Sequence, residues 1–226
     1  MFSNLEYAYI TGDLLLFCIW ILFFIARKDL RKEMLLISIF SVPLGFAQYF
    51  FGADYWHPEY IFGHSFFGFE DLFYMFAVGG ITGVIYEEFF GKKLAKHRVK
   101  SHPYFMLLFF VLGVLCFFIG NKVLNFNSIY VSSAIFLGCG IVTLTIRHDL
   151  FKHAFYSATF LAFLTLVFDI LFLFLFPNFF KDWWELGNLS GIFLIGVPIE
   201  EILFAFMLGF IAGPMYEFVF GLRLKN

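Results

Sequence analysis

The sequence predicts an all-α integral membrane protein of seven transmembrane helices, and three observations lead there. The 226 residues are 62% hydrophobic and 14% charged, with a mean hydropathy of +0.87, far from the make-up of water-soluble domains. Apolar runs of membrane-crossing length recur near residues 5–26, 34–53, 69–90, 104–120, 128–146, 154–176 and 198–220. The charges between those runs are sorted by side, with the basic residues collected in alternate connections.

The first run follows MFSNLEYAYITGD, which has no basic segment ahead of the apolar stretch, so this span is expected to be retained rather than cleaved. Arg27, Lys28, Arg31 and Lys32 come after it, before the second run. The third run opens on the acidic pair Glu70 and Asp71 and leads into the basic segment from Lys92 to Lys100. The fourth run, 104–120, is the shortest, and the loop charges test it. With seven spans, 13 basic residues fall on one face and only Lys122 and Lys181 on the other. Without the fourth run they scatter over both. The basic face is therefore expected to be cytoplasmic, with the N-terminus outside, the C-terminus inside and the chain in the cytoplasmic membrane. Nucleic acid is not an expected partner, because the basic residues sit in connections rather than on one binding face.

An internal repeat relates the third and seventh runs. Residues 70–91, EDLFYMFAVGGITGVIYEEFFG, align without a gap on residues 200–221, EEILFAFMLGFIAGPMYEFVFG. Glu70/Glu200, Gly79/Gly209, Gly83/Gly213, Tyr86/Tyr216, Glu87/Glu217 and Gly91/Gly221 are among the identical pairs. Upstream, RKDLRK at 27–32 resembles RHDLFK at 147–152, and DYW at 54–56 resembles DWW at 182–184. Residues 1–226 thus read as one membrane domain: a repeat over about 5–91, a linker helix over about 104–120 and a second repeat over about 128–221. Four crossings separate the first and fifth runs, so the repeats are expected to be parallel, a 3+1+3 arrangement with both acidic pairs at one membrane face. Gly79/Gly83 and Gly209/Gly213 make small-xxx-small spacings, which read first as helix packing and suggest that the third and seventh helices pack against each other.

The acids carry the chemistry. Successive helical residues point about 100° apart, so one member of each pair is expected to face the bundle interior. Pro198 stands two residues before Glu200, where proline suits a first helical turn and carboxylates suit the positive end of the helix dipole; capping is the plain alternative for Glu200 and Glu201. Against capping alone, the pair recurs in both repeats, and the apolar stretch begins upstream at NLSGIFLIGV. A single helix over 190–220 would reach roughly 45 Å, too long for the hydrocarbon core, so the segment before Pro198 is re-entrant or interfacial, or the pair lies below the headgroups. Asp13 and Asp169 add two acids within spans, with no basic residue well inside any span to neutralise them. A lone carboxyl in apolar surroundings is expected to keep its proton, and a second acid can take one back. Proton-initiated chemistry on a hydrocarbon needs such groups, and so does a proton-coupled carrier.

Aromatic residues make up 24% of the chain, 39 of them phenylalanine, and most serve as core or lipid-facing surface. Trp56, Tyr74, Trp183, Trp184 and Phe204, near the acidic pairs, could instead stabilise a carbocation through their ring faces, although an interfacial aromatic belt fits the tryptophans equally well. Cys18, Cys116 and Cys139 lie in apolar runs with no disulfide or zinc spacing. The histidines, His57 and His64 on one side and His97, His102, His148 and His153 on the other, show no HExxH-type spacing, so neither a metal nor a cofactor is expected.

PIEEILF at 198–204, FEDLF at 69–73, the tryptophan-bearing loop before each and the duplicated three-helix unit resemble the membrane-embedded lycopene cyclase domain in its fused form. That domain also occurs as two small heterodimeric subunits. The resemblance covers essentially the whole chain, although its sharpest motif is about seven residues long. It implies redox-neutral cyclisation of the ψ end groups of lycopene, or of a related polyprenyl lipid: protonation of a terminal double bond, ring closure through a tertiary cation and loss of a proton to give a β-ionone ring. Glu200 and Glu201 match the family's acidic motif, and Glu70 and Asp71 match its first-repeat counterpart. The first repeat departs from the pattern, because GFEDLF has no proline two residues before Glu70. A microbial rhodopsin needs a lysine in the last span, and residues 202–220 contain none. A Glu-Glu-xxx-Arg intramembrane protease needs an arginine where Ala205 stands. The expected partners are the bilayer and a polyene or prenyl lipid, with self-association open. The competing expectation is a small-molecule carrier or binding protein on the same repeat.

Overall fold

The computed structural model describes residues 5–63 and 67–225; His64 lies outside them. Seven helices among these residues are long and apolar enough to cross a membrane, so the fold is that of an all-α, multi-pass membrane protein. The first is α1 (Ala8–Ala26). The second is continuous from Arg31 to Asp54 but not uniform: α2 (Arg31–Ser41) tightens into a 3-10 turn over Val42–Ala47 before α3 (Gln48–Asp54). Pro43 explains the change, since it lacks the N–H that an α-helix would use at that point. The turn presses the backbone at Gly45 on the next helix, where a Cβ would stand 2.7 Å from the Asp71 carbonyl oxygen.

The third span is α4 (Phe69–Phe90), ended by Gly91 in the left-handed conformation. Strand β1 (Lys93–Arg98) follows, then α5 (Pro103–Phe118), closed by a π-turn over Ile119–Val123. Most of α5 is exposed, as suits a helix facing lipid. Next come α6 (Ser128–Ile146), α7 (Phe151–Leu175) and the short α8 (Phe179–Trp183). The segment before Pro198 is not helical. It forms a hairpin, β2 (Phe193–Leu194) against β3 (Val197–Pro198), turning through Ile195 and Gly196, both at positive φ. Helix α9 (Ile199–Ala212) starts with Pro198 as its N-cap, and α10 (Met215–Phe220) continues it past Pro214 to Gly221, again left-handed.

The glycine spacings pack differently from expectation. Gly79 lies over Ser41 and the Ile37 carbonyl, and Gly83 over the Ile37 side chain, both on α2. Gly209 lies over the Ser157 carbonyl and Ala158, and Gly213 over the Ser157 side chain, both on α7. Each small-residue stripe therefore seats its helix on the preceding span of its own half instead of joining α4 to α9. Close approach is worth most there because consecutive antiparallel helices have the longest shared contact. Helices α4 and α9 still meet along a shorter stretch.

Backbone pairing ties the halves at both ends of the bundle. At one end Trp56 and Trp184 form an antiparallel bridge, with His57 N–H donating to the Trp183 carbonyl and Glu185 N–H to the Tyr55 carbonyl, each at 2.8 Å. At the other, β1 pairs antiparallel with β4 (Leu222–Lys225), with Lys93 opposite Lys225, Leu94 opposite Leu224 and Ala95 opposite Arg223. Arg27 and Arg147 also match: each donates through Nη1 to the backbone carbonyl of a helix-end glutamate, Glu87 at 2.8 Å and Glu217 at 3.2 Å, while Asp29 and Asp149 hold the guanidinium groups.

Candidate active site

The acidic pairs open α4 and α9, and within each pair the two carboxyls go separate ways. Glu70 is 1% exposed and its Oε1 accepts from Ile61 N–H at 2.9 Å. Glu200 is 2% exposed and its Oε1 accepts from Ser190 N–H at 2.7 Å and from the Tyr130 hydroxyl at 2.8 Å. Both first acids fasten the loop that precedes their helix. Both second acids, Asp71 and Glu201, line a cavity between the halves. The 100° turn between neighbouring helical residues produces the split.

The cavity has a volume of about 160 Å³. It starts beneath Trp56 and Trp184 and goes no deeper than Leu16, Ile81 and Leu161 among its lining residues. A dry site near 150 Å³ accommodates a single small ring, and this cavity is of that size. Tyr74, Trp183 and Phe204 complete the set of five aromatics singled out in the sequence, all of which line it. The tryptophans are thus turned inward and do not form an interfacial belt: Trp183 and Trp184 are buried, and Trp56 stacks edge-on to Tyr9 at 5.2 Å between centroids.

Four carboxyls face this space and no Lys, Arg or His does among the lining residues. Asp71 is fully engaged: Oδ1 accepts from the Tyr9 hydroxyl at 2.7 Å, and Oδ2 from the Tyr60 hydroxyl at 2.9 Å and from Gly68 N–H at 2.8 Å. The bond from Gly68 also caps α4. Glu201 receives the Tyr55 hydroxyl and the Trp184 indole N–H, both on Oε1. Burial, with a carboxyl beside each, pushes the Tyr55 and Tyr60 phenols up, so both stay protonated and remain donors. Asp13 is 1% exposed, and neither of its oxygens has a hydrogen-bond partner; the same holds for Oδ2 of Asp169.

Tyr9, Tyr55, Tyr60 and Gln48 escaped the sequence reading. Tyr55 stood within the DYW match to DWW, and that was the available signal; Tyr9 and Tyr60 come from segments with no repeated motif. Gln48 accepts from Trp56 Nε1–H at 2.8 Å and so orients that ring. The structure also brings Glu87, His153 and Glu217 together at the opposite end of the bundle, and no sequence spacing marked them.

A family model described as lycopene cyclase matches residues 6–90 and 127–219, which include all four cavity carboxyls and all five cavity aromatics. The region between the two matched segments contains α5. No curated protein and no solved structure matches the chain. With most of its length matched and seven helices apolar enough to cross a membrane, the chain belongs to the lycopene cyclase family.

Proposed function

We propose that the chain is an acid–base cyclase of carotenoid or related polyprenyl end groups, built as a parallel 3+1+3 repeat with the N-terminus outside and the basic loops cytoplasmic. The observation that carries the reading is an aromatic cavity of end-group size lined by four carboxyls and, among its lining residues, no Lys, Arg or His to neutralise them. In the reaction, a carboxyl gives its proton to the terminal double bond, and the resulting tertiary cation is attacked by the neighbouring double bond to close the ring. A carboxylate then removes a ring proton. One proton is gained and one lost, so the product is an isomer and no electron carrier enters the balance.

The roles follow from which oxygens are uncommitted. Both hydrogen bonds to Glu201 fall on Oε1, which leaves Oε2 for proton exchange with substrate. Asp13 and Asp169 have oxygens with no partner and are the natural complement. Asp71, held at both oxygens, acts as a fixed negative or hydrogen-bonded wall opposite. Trp56, Trp183, Trp184, Tyr74 and Phe204 offer ring faces to the cation. Glu70 and Glu200 are positioning residues in this scheme. The pairings Trp56 with Trp184 and Leu94 with Leu224 support the parallel repeat, because each joins residues that the internal alignment places at corresponding positions.

The test is pigment chromatography of lycopene-accumulating cells that express this chain, beside Glu201→Gln and Glu200→Gln. Cyclic carotene from the wild type and untouched lycopene from Glu201→Gln is the expected result. Well-expressed, folded wild type that leaves lycopene unchanged would exclude lycopene as the substrate. A carrier, the competing reading, needs a path between the two faces, whereas the cavity lining ends midway along the helices.

A further inference from the structure

The end of the bundle away from the cavity holds a second set of titratable groups that the cyclisation scheme does not use. Glu87 on α4, His153 on α7 and Glu217 on α10 are 0%, 2% and 0% exposed. One ligand atom from each lies within 4.8 Å of the others. His153 Nε2 is 3.3 Å from Glu87 Oε1, and its Nδ1 is 3.5 Å from Glu217 Oε2. Neither glutamate oxygen pair nor either ring nitrogen makes a hydrogen bond. Glu33 on α2, 1% exposed and with both oxygens unbonded, lies within electrostatic reach of both glutamates. Tyr86 stacks on the imidazole at 4.7 Å and fixes its plane.

This cluster is built from both halves. Glu87 aligns with Glu217, and Glu33 aligns with His153 once RKDLRK and RHDLFK are matched and extended by one residue. The neighbouring cations are committed elsewhere: Arg27 and Arg147 bind the backbone carbonyls of the same two glutamates and the side chains of Asp29 and Asp149. Buried carboxylates need hydrogen bonds, protons or a cation, and here the first are missing.

We propose that Glu87, Glu217 and His153 bind a divalent transition-metal ion, with Glu33 beside it. Two carboxylates and a neutral imidazole balance a doubly charged ion, so with Glu33 protonated the loaded site carries no net charge into the low-dielectric interior. The mixed nitrogen and oxygen donors suit Mn²⁺, Fe²⁺ or Zn²⁺ rather than Ca²⁺, which takes oxygen ligands alone. Ligand bonds of about 2.0–2.2 Å require donor atoms roughly 3–3.5 Å apart, and the three donor atoms here, within 4.8 Å of one another, must close in to hold an ion. Loading draws both carboxylates toward one ring nitrogen. The ion would pin α4, α7 and α10, and with them both halves, at the end opposite the acid cavity. Its existence does not depend on the cyclase reading.

The experiment is elemental analysis of the full chain purified in detergent without chelator, before and after incubation with Mn²⁺, Fe²⁺ or Zn²⁺ and gel filtration. About one bound ion per chain is expected, with at least about a tenfold fall in Glu87→Gln/Glu217→Gln and in His153→Gln. Glu201→Gln must retain the ion, which separates this site from the cavity acids. Should the double variant fail to fold, pulsed electron paramagnetic resonance of wild type loaded with Mn²⁺ decides, since a coupled imidazole nitrogen is expected that disappears in His153→Gln. Folded wild type that neither holds nor takes up any of these ions overturns the proposal. So does an ion that survives loss of His153 and both glutamates.

Discussion

The openings of α4 and α9 carry the same acidic pair on the same turn, yet the two cavity acids are held to different degrees. Asp71 has both oxygens occupied by three donors, one of them the backbone of its own N-cap Gly68. Glu201 is one methylene longer, starts from a proline N-cap that has no N–H to give, and receives both of its donors on a single oxygen. A duplicated motif has thus kept its position in both halves while the hydrogen bonding of its second acid has become unequal. The missing proline before Glu70 belongs to this difference: a glycine N-cap with a free N–H is what ties Asp71 down.

That comparison is sharpest in activity. Glu201→Gln is expected to lower cyclisation by at least about 10²-fold, the usual scale of a lost general acid or base, measured as cyclic product per folded enzyme. Asp71→Asn keeps the shape of a group that only positions and should cost about tenfold; equal losses at both sites would break the asymmetry. Next in size are the glycine seats. Gly209→Ala puts a methyl 2.7 Å from the Ala158 Cα, a backbone atom that cannot turn aside, and should destabilise by about 2–3 kcal/mol in thermal unfolding in detergent. Gly79→Ala puts a methyl against the Ser41 Cβ, which rotation of the hydroxyl does not move, and should likewise cost about 2–3 kcal/mol. The smallest effect belongs to Tyr60→Phe, which removes one of three bonds to Asp71 and should cost about 1 kcal/mol with little change in rate.

Much of this fold could be read in the residues before any coordinates. The seven spans follow from apolar length, and the inward turn of one acid per pair follows from helical geometry. The five aromatics were placed near the cavity because they flank the acids, although the sequence could not separate an inward tryptophan from an interfacial one. The partner of each glycine stripe was not legible: a small-xxx-small spacing announces close packing but carries no address. The hairpin over β2 and β3 was hidden because its apolar residues have the composition of a helix, with Gly196 and Pro198 alone to interrupt them. His153 and Glu33 were missed for a related reason. Each stands one residue before the apolar run that a hydropathy reading accepts, so a polar side chain that starts a helix was assigned to the loop.

The backbone bridge at Trp56 and Trp184 and the strand pair β1 with β4 have a consequence for how this chain could be divided. Two halves that recognise each other through main-chain hydrogen bonds at both rims, with a shared interior between, carry their own instructions for docking. The peptide link through α5 then raises the local concentration of one half near the other without specifying how they meet. A chain severed in that link would retain the means to reassemble, and covalent continuity becomes a convenience of synthesis rather than a requirement of the architecture.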